Sequence, residues 1–410
     1  MKRLLTLLLA ASFTWAVAQD APPVTPVGTL FDYTGALAEF GPAHQNATEL
    51  AVEQINRAAE AVLGGPIMRL IHEDSATSPA QGVDRARKLV EADGVAAIIG
   101  SLASGVTINV AESVTVPAGV VQISPASTSP LISVLEDNDY LFRTTSSDAL
   151  QGVVAAMLAR GRIIDGHSFE TAATLYENSP YGQGLSDAFS AAFEEHGGTV
   201  VAQVAHPTEP QPTYVSQIEQ ALAANPDVVV AIGYPGQATV YLAEMRDLFG
   251  YTSWQFVDGT QSEEIIAAIG AETLEGRYGT APGSAAGFDR FNDFYVERYG
   301  ERPPLPFMDA AYDAAAVIGL AIAKCIIDGV EVTSDNIRDR LREVANSPGE
   351  VVEVGDFEEA MRLMQLGVEI NYEGAASSVD FDEVGDVITP FVIWQYAGGT
   401  IETVTLYGGE

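Results

Sequence analysis

The sequence predicts an α/β protein made of parallel sheets with helices on both faces, divided into two similar lobes. Three observations carry that prediction. Short apolar, β-branched runs at residues 96–99 (AAII), 119–121, 172–175, 228–232 (VVVAI) and 255–257 are bounded by Gly, Pro, Ser or Asp. Such runs have the form of strands buried on both faces. They alternate with segments of helical spacing, among them "NATELAVEQINRAAEAV", "AQGVDRARKLVEADG", "YGQGLSDAFSAAFEEHGG", "TYVSQIEQALAANPD" and "GQATVYLAEMRDLFG", and that alternation specifies a parallel sheet. Finally, the chain has 410 residues, 47% of them hydrophobic, more than one domain normally holds at roughly 100–200 residues per domain. No short-period repeat suggests a solenoid.

The first residues, "MKRLLTLLLAASFTWAVAQD", place Lys2 and Arg3 before an apolar stretch and offer Ala16, Val17 and Ala18 as a small-residue cleavage site. These are the three parts of a secretory signal, so residues 1–18 are expected to be removed and the mature protein to be periplasmic or secreted. The run is shorter than the ~20 residues a spanning helix needs. No later segment is expected to be long and apolar enough to span a membrane, and no direct insertion is expected.

One cysteine, Cys325, sits in the apolar context "GLAIAKCIIDG", which excludes a disulfide framework or a cysteine metal cluster and reads as a small buried hydrophobe. No cysteine follows the leader to carry a lipid. Lys+Arg is 20 and Asp+Glu 56; without Lys2 and Arg3 the balance is 18 − 56 = −38. A field of that sign makes nucleic acid and anionic membrane poor partners. The acids are spread along the chain, so they read as a solubilising surface and not as an interaction tail.

The unusual polar stretches all follow strands. "GSLASG" follows "VAAII", "SPASTSP" follows "GVVQI", "YENSPYGQG" follows "AATL", "GYPGQ" follows "VVVAI" and "DGTQSEE" follows "WQFV". In a parallel sheet those ends lie on one side, where ligands bind. The stretches therefore read as rim loops of a common cleft.

The ordered series "GTLFDYTGALAEFGPAHQNATELAVEQIN", "IIGSLASGVTINVAESVTVPAGVVQISPASTSPLIS", "LFRTTSSDALQG" and "LYENSPYGQGLSDAF", continuing to "VDFDEVGDVITPFVIWQY", resembles the extracellular solute-binding proteins of ABC importers. Within them it is similar to the branched-chain (leucine/isoleucine/valine) amino acid type. The resemblance implies a type I periplasmic binding protein with two Rossmann-like lobes, a cleft between them and three crossover hinge strands. These crossings are expected near "FRTTSSD", "YGTAPGS" and "SSVDFDE". Lobe 1 would take residues 24–146 and 281–378, and lobe 2 residues 147–280 and 379–410. An ABC permease is the implied membrane partner, and no cofactor or metal is expected.

Each rim loop then has a candidate. Ser104 heads a helix, where a hydroxyl and free N–H groups suit a carboxylate, although an ordinary N-cap has the same form; the family places a carboxylate-binding serine there. Pro125 and Pro130 stiffen a loop carrying Ser127 and Thr128, and a stiff loop loses little entropy on gripping a ligand. By resemblance the Ser127 backbone and Thr128 side chain hold an amino-acid head group. Phe40 falls where the family has an aromatic over the ligand, while Leu102, Ala103 and Phe307 suit either an apolar pocket or the core.

From the second lobe, Tyr181 and Tyr234 sit beside Gly182 and Gly233 and offer apolar area with a polar tip, or simply pack their helices. Asp258 opens "DGTQSEE" as a turn former or as the carboxylate for a ligand ammonium. It stands where the branched-chain type typically has Glu, which shortens its reach. Glu177 and Asp148 are weaker candidates, Glu177 lying before its turn and Asp148 at a hinge.

The expected ligand is an aliphatic amino acid. Within the same fold the alternatives are urea, an amide or a small aromatic carboxylate, or a ligand-sensing role. An enzyme ranks last: the chain lacks a G-x-S-x-G elbow, an H-E-x-x-H helix and a P-loop. Its five histidines are scattered, and "HED" at His72 reads as a solvated loop.

Overall fold

The computed structural model describes residues 21–408; the expected leader, residues 1–18, lies outside them. Five strands, β1 (Thr25–Phe31), β2 (Met68–Asp74), β3 (Ala97–Gly100), β4 (Val121–Ser124) and β5 (Leu141–Arg143), form a first sheet in the order β2-β1-β3-β4-β5. Every pairing in it is parallel. A second sheet uses β6 (Thr171–Glu177), β7 (Thr199–His206), β8 (Val228–Ile232), β9 (Trp254–Phe256) and β10 (Arg277–Pro282). The chain then returns to the first sheet's layer, where β11 (Glu350–Glu353) and β12 (Ile370–Glu373) pair with each other. It ends as β13 (Phe391–Ala397) and β14 (Thr400–Tyr407), which extend the second sheet to the order β14-β13-β10-β9-β8-β6-β7. Those last two are added antiparallel.

Strands β3 and β8 are buried at every position, as strands covered by helices on both faces must be. Helix Met308–Asp328 packs against helix Phe40–Leu63 in the first layer. Its 21 residues are long and apolar enough to cross a membrane by length and composition, which corrects the expectation that no segment past the leader would be. In the structure its most apolar stretch is 83% buried, because it is a core helix enclosed on all sides and needs no polar face.

The chain passes between the sheets after β5, after β10 and after β12. The third pass runs beside the first: Phe381 packs edge-on against Phe142 at 5.2 Å, and Thr389 donates its N–H to Ser146 Oγ at 2.6 Å. Both sheets have a switch point where the strand order reverses, between β1 and β3 in one and between β6 and β8 in the other. Loops diverge there and leave a crevice.

Two local expectations are corrected. The strand read at 119–121 runs Val121–Ser124; Gly119, at φ +64°, ends the preceding helical turn. Gln122 and Ser124 are hidden in the strand because each finds a partner. Gln122 accepts from Thr115 Oγ1 at 2.7 Å and donates to the Gly100 carbonyl at 3.0 Å, while Ser124 Oγ donates to the Ser101 carbonyl at 2.6 Å. Likewise "HED" closes β2 instead of forming a loop, with His72 Nδ1 2.7 Å from Thr29 Oγ1 on the adjacent strand.

Candidate functional site

The two switch points face each other. Phe40 and Leu102 follow β1 and β3, Tyr181 and Tyr234 follow β6 and β8, and all four line one cavity of ≈ 20 Å³ together with Asp258 and Phe307. A volume of that size holds about one water, so any larger ligand enters only as the walls move apart. Tyr181 and Tyr234 stack with ring centroids 5.3 Å apart and planes 5° from parallel. Gly259 is required beneath them: a Cβ there would stand 2.5 Å from the Gly233 carbonyl oxygen and 2.9 Å from Tyr181 Oη. Phe307 is buried with φ +65°, a left-handed conformation costly for an aromatic residue.

Behind this aromatic wall lies a buried acidic network. Asp258 Oδ1 accepts from Gln151 Nε2 at 2.7 Å and from Tyr181 Oη at 3.0 Å. Asp148 Oδ2 accepts from Thr128 Oγ1 at 2.9 Å, while its Oδ1 and the Oε1 of Gln151 are buried without a partner among the described residues. Burial pushes Asp258 up to about 6. Burial, then the charge of Asp258, pushes Asp148 well above the usual carboxylate range. Two acids thus share a dry site, and the cation acting on Asp148, Arg143, is already paired with Asp386. The arrangement is electrostatically short of one positive charge.

Arg143 explains the rigidity of "SPASTSP". Fully buried, it donates to the carbonyls of Ser129 (3.1 Å) and Ser127 (3.4 Å), to Ser133 Oγ (2.6 Å) and, through Nε, to Asp386 (2.6 Å). Ser127 is turned into the scaffold: its N–H goes to Ser124 Oγ at 3.0 Å and its hydroxyl to the carbonyls of Ser101 (3.2 Å) and Leu102 (3.1 Å). Ser104 Oγ accepts the Ser129 N–H at 3.2 Å. The N–H groups of Ser104 and Thr128 have no partner among the described residues.

Hydrogen bonds tie the two sides together across the cleft. Gly236 N–H meets the Ala36 carbonyl at 3.2 Å, Ser129 Oγ the Pro180 carbonyl at 2.9 Å, and Ser262 Oγ the Glu39 carboxylate. The structure is a closed form, sealed at its rim.

Of the residues singled out by sequence, Phe40, Tyr181, Tyr234 and Asp258, with Leu102 and Phe307, share the cavity wall. Thr128 bonds Asp148 behind the wall, Ser104 at its helix start and Ser127 in its loop are buried away from it, and none of these three nor Ala103 is among the lining residues. Glu177 is buried in its own network, bonded to Gln237 Nε2 at 3.0 Å. Sequence reasoning undervalued Asp148 and missed Gln151 and Arg143. The one available signal was "SSDALQG": Ser147 caps the helix whose first turn carries Asp148 and Gln151, and residues three apart share a helix face.

The chain matches the family model described as "Periplasmic binding protein" over residues 25–366. It is 29% identical over 394 residues, 93% of this chain and 89% of the other, to the chemotactic signal transduction system substrate-binding protein BasB of Halobacterium salinarum. It is 27% identical, over 79% of this chain and 84% of the other, to the leucine-, isoleucine-, valine-, threonine- and alanine-binding protein of Pseudomonas aeruginosa. Among solved structures it is similar to the leucine-binding protein LivK of Thermotoga maritima, with a TM-score of 0.76 at 22% identity, covering 94% of this chain and 99% of that one. With the facing switch points and the sealed cleft between two α/β layers, the match over most of the sequence shows that the chain belongs to the periplasmic binding protein family, with the type I fold.

Proposed function

We propose that the protein captures a small zwitterion, an aliphatic amino acid of the branched-chain kind, by closing two lobes on it, and delivers it to an ABC importer permease. One observation carries the reading: Asp258 lines an apolar cavity, Asp148 is buried behind it, and the pair has no cation of its own to spare. A buried carboxylate without a partner is costly, and a ligand ammonium supplies the missing charge. The unoccupied N–H groups of Ser104 and Thr128 suit the ligand carboxylate, with Ser127 holding their loop. Phe40, Leu102 and Phe307 would enclose an aliphatic side chain, and Tyr181 and Tyr234 close over it. We take the lobes as residues 24–146 with 281–378 and residues 147–280 with 379–410, the segment 381–387 riding on the first through Phe142 and Arg143.

A thermal-shift panel tests this. A ligand that binds only the folded form adds RT ln(1 + [L]/Kd), about 2.7 kcal/mol at a hundredfold excess over Kd. Leucine, isoleucine and valine are expected to raise the melting temperature. Silence from them with a response to urea, an amide or benzoate overturns the reading. The likeness to BasB favours a second reading of the downstream step, delivery to a chemotaxis receptor. Deletion that abolishes taxis but leaves uptake intact would select it.

A further inference from the structure

A second space adjoins the cleft. A groove of ≈ 780 Å³ lies between the two layers, from the exposed Glu301, Arg302 and Glu402 at its mouth to the buried Phe307 and Asp309 at its inner end. Phe307 lines this groove and the small cavity alike, so this residue stands between them. Asp309 is only 4% exposed and accepts from Ser284 Oγ at 3.3 Å and from the Ala310 N–H at 3.0 Å. No cation bonds it among the described residues. Gln261, also on the wall, has an Oε1 buried without a donor. Four acids, Glu263, Glu301, Asp309 and Glu402, face one cation, Arg302.

We propose that Phe307 is a gate that sets specificity, and that the groove behind it is a subsite for a cationic side chain, with Asp309 as its anchor. Beyond the aliphatic amino acid held with the ring in place, the ligand class of this subsite is a basic amino acid whose head group sits at Asp258 and whose side chain passes the displaced ring. The proposal rests on the amino-acid reading of the head-group site. The chemistry follows from the lining: an aliphatic chain is satisfied by the cavity on the near side, whereas only a donor or cation gains from Asp309 and Gln261. The Phe307 backbone already occupies a conformation that glycine would hold without cost, so Phe307→Gly removes the partition while relaxing the main chain.

Calorimetry with arginine and leucine on the mature wild type, Phe307→Gly, and Phe307→Gly/Asp309→Asn tests it, with Phe307→Leu held as the milder variant should glycine fail to fold. The arginine-to-leucine affinity ratio is expected to rise at least tenfold in Phe307→Gly and to return towards the wild-type value when Asp309→Asn is added. A ratio unchanged by opening the gate, or a gain that survives loss of the Asp309 charge, overturns the inference while leaving the proposed function standing. Failure of both amino acids to bind wild type and variants alike overturns the two together.

Discussion

Binding an ammonium at Asp258 should expel a proton. In the closed site without a ligand burial raises Asp258 to about 6, so at pH 6 that form is half protonated. A ligand ammonium favours the carboxylate and drives that proton off. Release from this group alone is then about half a proton at pH 6 and ~0.9 at pH 5, and apparent affinity falls by a factor near 1 + 10^(6−pH), about tenfold between pH 7 and pH 5, or ~1.4 kcal/mol. The groups acting on Asp258 come from several elements. Asp148, from the helix it begins, opposes its ionisation, whereas the Gln151 and Tyr181 hydrogen bonds favour it. Asp148 is itself raised, so any proton it yields adds to the release. The assay is isothermal calorimetry at pH 6 in phosphate and in imidazole, buffers of low and high ionisation enthalpy. The difference in observed enthalpy gives the protons released, expected to be about 0.5 or more. A zero difference, with affinity flat between pH 5 and 7, would refute the claim that the acids are held protonated by burial and discharged by the ligand.

Asp258→Asn keeps an acceptor for Gln151 and Tyr181 and removes the charge; it should weaken amino-acid binding by roughly 2–5 kcal/mol without lowering the melting temperature of the empty protein, and normal binding by calorimetry would return Asp258 to a turn-forming role. Burial also raises Asp32 and Asp309 to about 6 and Glu177 and Asp313 to about 7. The folded state therefore holds protons that an unfolded chain has lost, and this stabilisation is present at low pH and lost as pH rises through 6–7; calorimetric scans of the empty protein should show a higher melting temperature at pH 5 than at pH 8, and the reverse order would refute it. Gly259→Ala, whose Cβ would lie 2.5 Å from the Gly233 oxygen, should cost roughly 1–3 kcal/mol of closed-form stability, the overpacking range, read as weaker ligand binding; unchanged affinity would show that the loop yields. Arg143→Met leaves Asp386 and the Ser127 and Ser129 carbonyls without their donor and should destabilise by roughly 3–5 kcal/mol in urea unfolding, the range for breaking a buried pair; a loss under 1 kcal/mol would remove Arg143 as the pin of the loop.

What was readable in the sequence, and what was not, divides along a physical line. Strands β3 and β8 were readable because burial on both faces forces a continuous apolar run, and the rim loops followed because the strands of a parallel sheet end on one side. β4 was placed too early because Gln122 and Ser124 look like loop residues until their partners Thr115, Gly100 and Ser101 are known. The antiparallel pair β13 and β14 escaped the alternation rule, since no helix separates them. Asp148 was set aside as a hinge residue for a related reason. Its significance depends on Asp258, 110 positions away (258 − 148), and on Arg143 being committed to Asp386. Composition and period report how one segment meets its own layer, whereas a charge deficit is a property of groups brought together from different layers. Closure is the event that makes the deficit: in water each acid would ionise at little cost, and only the sealing of Gly236 on Ala36 and Ser129 on Pro180 removes the solvent that would screen the pair. The same contacts that exclude water therefore create the demand for a cation, and a ligand without an ammonium leaves the closed form carrying either an uncompensated charge or a bound proton.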